Sequence, residues 1–240
     1  MQHPLFFHDG VLENNCEIQL DEETARHVVQ VLRMQPGEYL LLTDGKGKEV
    51  KAIIKKAEKK RCSVKVEDIN LHQPAKTKFH LAIAFTKNTS RNEWLLEKAT
   101  ELGVSSIIPI FATRTERERI RYDRWKNILT SALIQSRQYY LPELSEAVSI
   151  KEILQRFDGV PQKLIAHCMN EEERVPFSQA MEKEKDTIIL IGPEGDFTLE
   201  EVKECSANGF VGVNMGTNRL RTETAAMAAC AYFNLINHEV

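Results

Sequence analysis

The stretch from Thr187 to Thr224, TIILIGPEGDFTLEEVKECSANGFVGVNMGTNRLRTET, decides how the chain is read. It opens with a strand-like apolar run, Ile188-Ile189-Leu190-Ile191, and passes into Gly192-Pro193-Glu194-Gly195-Asp196-Phe197. A second apolar run then ends in Met215-Gly216 and in Arg219-Leu220-Arg221-Thr222-Glu223-Thr224. Glycine lets a ligand or another chain segment approach the backbone closely, and Pro193 fixes the entry angle of the turn. Thr198 with Glu201 three residues on reads as a capping box that starts a helix directly after the loop. Strand, Gly-rich turn and helix form the junction at which open α/β sheets bind ligands. GPEG alone is also an ordinary tight turn, but a second Gly-containing loop so close by points to a ligand pocket between the two. That second loop leads into Ala225-Ala226-Met227-Ala228-Ala229, a helix of high propensity with Thr222 or Thr224 expected as its N-cap.

Upstream, strands and helices alternate. Phe79–Phe85, Ser106–Ile110, Leu164–His167 and Phe210–Asn214 read as strands, and Asn92–Leu102 and Trp125–Arg137 as helices, the pattern of a mainly parallel sheet covered on both faces. Trp94 and Leu95 are expected in the core. Residues 1 to about 72 differ: Glu38–Thr43, Glu49–Ile54 and Cys62–Val66 are short strands separated by Asp44-Gly45 and a Lys56–Arg61 hairpin, with one short helix over Thr24–Leu32. That composition suggests a compact barrel, joined through a Pro74-containing linker to a second domain over 73–240. No GxGxxG follows the first strand of the second domain and no Walker loop occurs, which argues against a dinucleotide fold or an NTPase.

The 240 residues carry a net charge of −3, 42% hydrophobic and 28% charged residues, ordinary values for a soluble protein. Charge is nonetheless segregated. Between Lys46 and Lys65 nine basic residues face two acidic ones, Glu49 and Glu58, and Arg114, Arg117, Arg119, Arg121, Arg124 and Lys126 crowd a second segment, while acid collects at Glu171-Glu172-Glu173. Such positive runs are often solvated faces, and they are also the footprint of phosphate binding. The five cysteines, Cys16, Cys62, Cys168, Cys205 and Cys230, form no CxxC pair and sit at no metal-ligand spacing, which points to a reducing compartment and away from zinc. Neither a membrane-length apolar run nor a signal peptide is evident, so the expected location is cytoplasmic, with no membrane partner.

GPEGDFTLEE followed by MGTNRLRTETAA resembles the signature of the SPOUT-class methyltransferases and, within them, the RsmE-type enzymes that methylate N3 of a uridine in 16S ribosomal RNA. The likeness extends upstream through Glu23–Arg33 (ETARHVVQVLR), Thr43-Asp44-Gly45 and Lys98–Val104 followed by Pro109. It implies an α/β domain with a deep C-terminal trefoil knot behind an N-terminal PUA-like RNA-binding β-barrel. It further implies S-adenosyl-L-methionine as cofactor without a metal, ribosomal RNA or the assembled small ribosomal subunit as substrate, and a homodimer.

Carried onto this sequence, the resemblance puts the cofactor against Gly192, Glu194 and Gly195 in the first loop, Met215, Gly216 and Leu220 in the second, and Cys168 at the preceding strand end. Uridine N3 must lose a proton before its lone pair is nucleophilic. Glu223 or Glu194 is the candidate acceptor beside bulk water, and Arg221 the candidate stabiliser of charge on O2 and O4 or clamp for the neighbouring phosphate. RNA contacts are expected from Arg33, Lys55, Lys56, Lys59, Lys60, Arg61, Lys87, Arg91, Arg114 and Arg219. The sequence departs from the family pattern at Asp196, where GPEGG carries a second glycine, at Asn218-Arg219, and in lacking an early arginine. A carboxylate at position 196 is expected to be favoured by the dipole of the following helix. Two other readings remain open: an RNA-binding assembly factor without catalysis, and a 2′-O-ribose methyltransferase of the same fold.

Overall fold

The computed structural model describes residues 3–116, 120–169 and 172–237. Arg117, Arg119 and Glu171, counted above in charge clusters, lie outside the described residues. The chain divides into two compact units: Met1–Pro74 with Leu133–Leu141, and Ala75–Ala132 with Pro142–Val240.

The first unit is built on β1 (Leu5–Phe7), β2 (Glu17–Gln19), β3 (Tyr39–Thr43), β4 (Lys48–Glu58) and β5 (Arg61–Leu71), in the order β1-β3-β4-β5-β2. Val50, Ala52 and Ile54 alternate inward along β4, as period-two patterning requires, and meet Leu40, Leu42, Val64 and Val66 in one apolar core. Helix α1 (Glu22–Arg26), capped by Asp21, runs on into a π-turn over His27–Val31. The single helix expected over Thr24–Leu32 is therefore two elements. The wider turn buries Val28, leaves Val31 and Leu32 exposed, and ends at Arg33 with φ +55. The segment Leu133–Leu141 completes the unit through Gly47 N–H to the Tyr139 carbonyl (2.8 Å) and Leu141 N–H to the Gly45 carbonyl (2.8 Å). Nothing in a linear division at residue 72 marks that return.

The second unit holds β6 (Phe79–Ile83), α2 (Thr89–Glu101), β7 (Ser106–Phe111), α3 (Tyr122–Gln135), β8 (Glu143–Leu144), β9 (Val148–Ser149), α4 (Ile150–Arg156) and β10 (Gln162–Ala166). It continues with β11 (Val175–Pro176), α5 (Phe177–Ala180), β12 (Thr187–Ile191), α6 (Leu199–Ala207), β13 (Val211–Asn214) and α7 (Thr222–Asn237). The strands pair in parallel in the order β11-β13-β10-β12-β6-β7-β8, with β9 also on β7. Every residue of β12 is buried, as a central parallel strand covered on both faces demands. Helix α2 starts three residues earlier than the periodicity predicts because Asn88 caps it, accepting from Arg91 N–H at 3.1 Å. Leu95 is in the core as expected, whereas Trp94 is 46% exposed on the solvent side of α2. Among the described residues no helix is long and apolar enough to cross a membrane.

Phe197 anchors the Gly192–Phe197 turn: it is fully buried beside Ile188, Leu190 and Val202, and a Cβ at Gly192 would lie 3.0 Å from its ring. Phe197→Ala should lower the stability of this unit by roughly 3–5 kcal/mol. The readout is a urea titration followed by the fluorescence of buried Trp125, and a loss below about 1 kcal/mol would mean that the turn does not depend on this anchor.

Candidate functional site

Register places the site. Ala166 on β10 lies opposite both Ile191 on β12 and Val213 on β13, so the three strands end at one level. The segments that follow them, His167-Cys168, Gly192–Phe197 and Met215–Arg221, rim a cleft of ≈ 450 Å³ at the carboxyl edge of the sheet, within the size range of small-molecule sites. Hydrogen bonds tie the rim together. The Thr222 hydroxyl donates to the Gly192 carbonyl (3.0 Å), Cys168 N–H to the Asp196 carboxylate (2.8 Å), and the Arg219 guanidinium to the Glu194 carbonyl (3.2 Å).

Asp196 lies two residues before Thr198, the N-cap of α6, whose capping box with Glu201 is complete. Asp196 has φ +63, a conformation that Asp tolerates better than most side chains, and its carboxylate accepts from the N–H groups of Cys168 and Phe197. One expectation about this loop pair is corrected: Thr222 and Thr224 do not cap α7. The Arg221 carbonyl accepts the first helical bond from Ala225 N–H (2.8 Å), and the Thr222 hydroxyl is committed to Gly192.

Of the cofactor candidates, Cys168, Gly192, Glu194, Met215, Gly216 and Leu220 line the cleft, and Gly195 does not. A side chain at Gly195 would meet the Arg114 stem at 3.3 Å, because Arg114 lies along this turn and donates to the carbonyls of Gly195 (2.8 Å) and Phe197 (3.4 Å). Gly216 has φ +108 and open space where a Cβ would stand, so its backbone faces the cleft uncovered.

Arg91, Arg219 and Arg221 also line the cleft. Arg91 reaches from α2 to two carboxylates, Glu194 at 3.7 Å and Glu223 at 3.4 Å. Glu223 is 8% exposed, and its second carboxylate oxygen has no hydrogen-bond partner. Lys87 pairs with Glu116, and the Arg124 guanidinium holds the Glu93 carboxyl below its usual range. In the first unit Arg33, Lys55, Lys56, Lys59, Lys60 and Arg61 are all exposed. There the Gln30 side chain ties the π-turn to the hairpin through the Lys59 carbonyl (2.7 Å), and Lys60 pairs with Glu22 (3.1 Å).

Sequence reasoning missed His167, Asp196 and Arg174 as lining residues. Only Asp196 carried a signal, a non-glycine residue inside a glycine-type turn. His167 is 4% exposed and neither ring nitrogen has a hydrogen-bond partner. Burial lowers its proton affinity, the Asp196 carboxylate raises it, and Arg174 lowers it again, with burial the largest effect. An unfolded imidazole binds its proton near pH 6.5, roughly its unperturbed value, and the folded one only at lower pH. Below that point the unfolded chain therefore binds the proton more readily, and stability falls as pH drops. Urea midpoints should show the wild type losing ground to His167→Gln as the pH is lowered from about 7 to about 5. Parallel profiles would mean that the folded imidazole protonates freely.

Comparison with known proteins supplies the family. Residues 73–234 match the RNA methyltransferase domain and residues 20–67 the RNA methyltransferase PUA domain. The chain is 28% identical over 236 residues to ribosomal RNA small subunit methyltransferase E of Bacillus subtilis, covering 92% of each chain. A crystal structure of a probable rRNA-methyltransferase from Porphyromonas gingivalis superimposes with TM-score 0.91 at 36% identity, covering 98% of both chains. A ribosomal RNA small subunit methyltransferase E from Neisseria gonorrhoeae, bound to S-adenosyl methionine, does so with TM-score 0.84 at 28% identity, again over 98% of both. With a parallel sheet whose carboxyl edge carries the cleft, and with these matches over nearly its whole length, this chain belongs to the RNA methyltransferase family, among the ribosomal RNA small subunit methyltransferase E proteins.

Proposed function

We propose that the chain methylates N3 of a uridine in 16S ribosomal RNA, using S-adenosylmethionine. The observation that carries this reading is the cleft where β10, β12 and β13 end together, rimmed by exposed main chain on one side and by arginines beside a buried carboxylate on the other. The residues present fit the cofactor. Ile191, Val213, Leu220 and Ala225 offer an apolar bed for a flat base, and the open backbone at Gly216 offers polar groups to its edge. When bound, the cofactor supplies a methyl group made electrophilic by a sulfonium.

The protein's own residues do the rest by positioning. The N3 proton goes to Glu194, which lines the cleft, to Glu223, which lies behind Arg91 with its unpaired oxygen buried, or to water. Arg221 stabilises charge spreading onto O2 and O4. Arg219, Lys87 and Arg91 meet the RNA backbone near the cleft, with Arg114 steadying the turn, while the exposed basic hairpin of the first unit, Lys55 to Arg61, and Arg33 hold flanking RNA.

The same reading includes a trefoil knot formed as the C-terminal strands thread past one another, a rare departure from unknotted topology. Support comes from the strand order β13-β10-β12 and from the Thr222 hydroxyl reaching back to Gly192 at the start of the preceding turn. It also includes an N-terminal barrel over 1–72, a methyltransferase domain over 73–240, a cytoplasmic location, and a homodimer whose second copy helps complete the RNA site.

Arg221→Ala should lower kcat by about 100-fold or more while changing the dissociation constant for S-adenosylmethionine by less than about 3-fold. An unchanged kcat removes Arg221 from the chemistry. Nucleoside mass spectrometry of 16S ribosomal RNA from a deletion strain should show loss of 3-methyluridine. Loss of a 2′-O-methylated nucleoside would move the reaction to ribose, and absence of any calorimetric binding of S-adenosylmethionine would make the chain an assembly factor.

A further inference from the structure

Among the described residues, four arginines, Arg91, Arg174, Arg219 and Arg221, line the cleft with two carboxylates, Glu194 and Asp196. Guanidinium groups suit RNA phosphates, whereas a ligand that carries a positive charge on sulfur is better served by a carboxylate. Glu194 is compromised as a counterweight, because it faces Arg91 at 3.7 Å and its side chain is 58% exposed. Asp196 is different. It is half-buried, forms no ion pair among the described residues, and is held at both carboxylate oxygens by the N–H groups of Cys168 (2.8 Å) and Phe197 (2.9 Å). The oriented carboxylate needs no reorganisation to meet a cation.

We propose that Asp196 is a charge-discriminating residue of the cofactor site, favouring the cationic methyl donor over the neutral product. The inference rests on the cofactor reading given above. In the transfer, the bond from the methyl carbon to sulfur breaks with its electron pair left on sulfur, a bond from that carbon to N3 forms, and the N3 proton has gone to an acceptor. Sulfur thus passes from +1 to neutral while Asp196 stays where it is. Attraction that helps the donor bind is absent for the product, so the spent cofactor is held less tightly than the donor. A glycine at this position satisfies the φ of +63 at least as easily, so backbone geometry alone does not select aspartate.

Calorimetric titration separates this from a purely structural role. Wild type, Asp196→Asn and Asp196→Gly are each titrated with S-adenosylmethionine, with S-adenosylhomocysteine, and with the cationic amine analogue sinefungin, after thermal melts confirm folding. Asn and Gly both accept positive φ, so both variants keep the turn accessible. The preference for S-adenosylmethionine over S-adenosylhomocysteine should fall about tenfold in both variants, with sinefungin following the methyl donor. Equal weakening of all three ligands would reduce Asp196 to a clip between loops and overturn the proposal, as would unchanged affinities. Failure of the wild type to bind any of them would instead overturn the cofactor reading, and this proposal with it.

Discussion

The shared level at which β10, β12 and β13 end is the constraint on which the site depends. Each strand is paired in parallel with its neighbour, so a one-residue slip of any of them would exchange the two faces on which its side chains pack and shift its loop along the rim. Parallel pairing with both faces covered leaves few places for polar main chain to emerge, and the carboxyl edge is one of them. The cross-links then follow. Thr222 reaches Gly192 and Asp196 reaches the backbone of Cys168 only because the three ends lie side by side.

Around that edge, neutral and charged recognition are divided. Backbone at Gly216 and apolar side chains from β12, β13 and the start of α7 line the cleft, whereas the guanidinium groups come from α2, the residue ahead of β11 and the loop ahead of α7. A bed without charged side chains avoids the larger cost of desolvating ions, and main-chain groups that bond the edge of a flat ligand recover what they lose to water. An arginine that pairs loosely with an exposed carboxylate, as Arg91 does with Glu194, remains able to exchange that partner for phosphate oxygens, which offer the same forked geometry.

Much of this was legible in the chain itself. The strand over Ile188–Ile191, the capping box at Thr198 and Glu201, and the glycines of both turns are local signals, and local rules read them. What escaped depended on long-range placement. Trp94 fits the apolar stripe of α2 by type yet sits on its outer face, the Thr222 hydroxyl serves a residue thirty positions earlier instead of its own helix, and Leu133–Leu141 joins a unit whose other residues end at Pro74. Gly195 looked like a cofactor contact by analogy of residue type, but the Arg114 stem occupies its open side. His167 could not have been found, because an ordinary histidine at a strand end shows nothing of the burial that strips its ring of partners.

That last residue belongs to a pattern. In the second unit, the described buried side-chain atoms without hydrogen-bond partners are both ring nitrogens of His167 and one oxygen of Glu223. His167 lines the cleft, and Glu223 lies against Arg91, which does. An unpaired buried polar group costs about 1–3 kcal/mol, and an apolar residue of similar size would spare the fold that cost. Elsewhere in the unit such groups are satisfied: Asn92 is bonded on both sides to Thr86, and Gln162 to Ala180 and Thr187. The groups left without a protein partner in this unit therefore sit in the cleft or directly behind it, where water or a bound ligand can supply one.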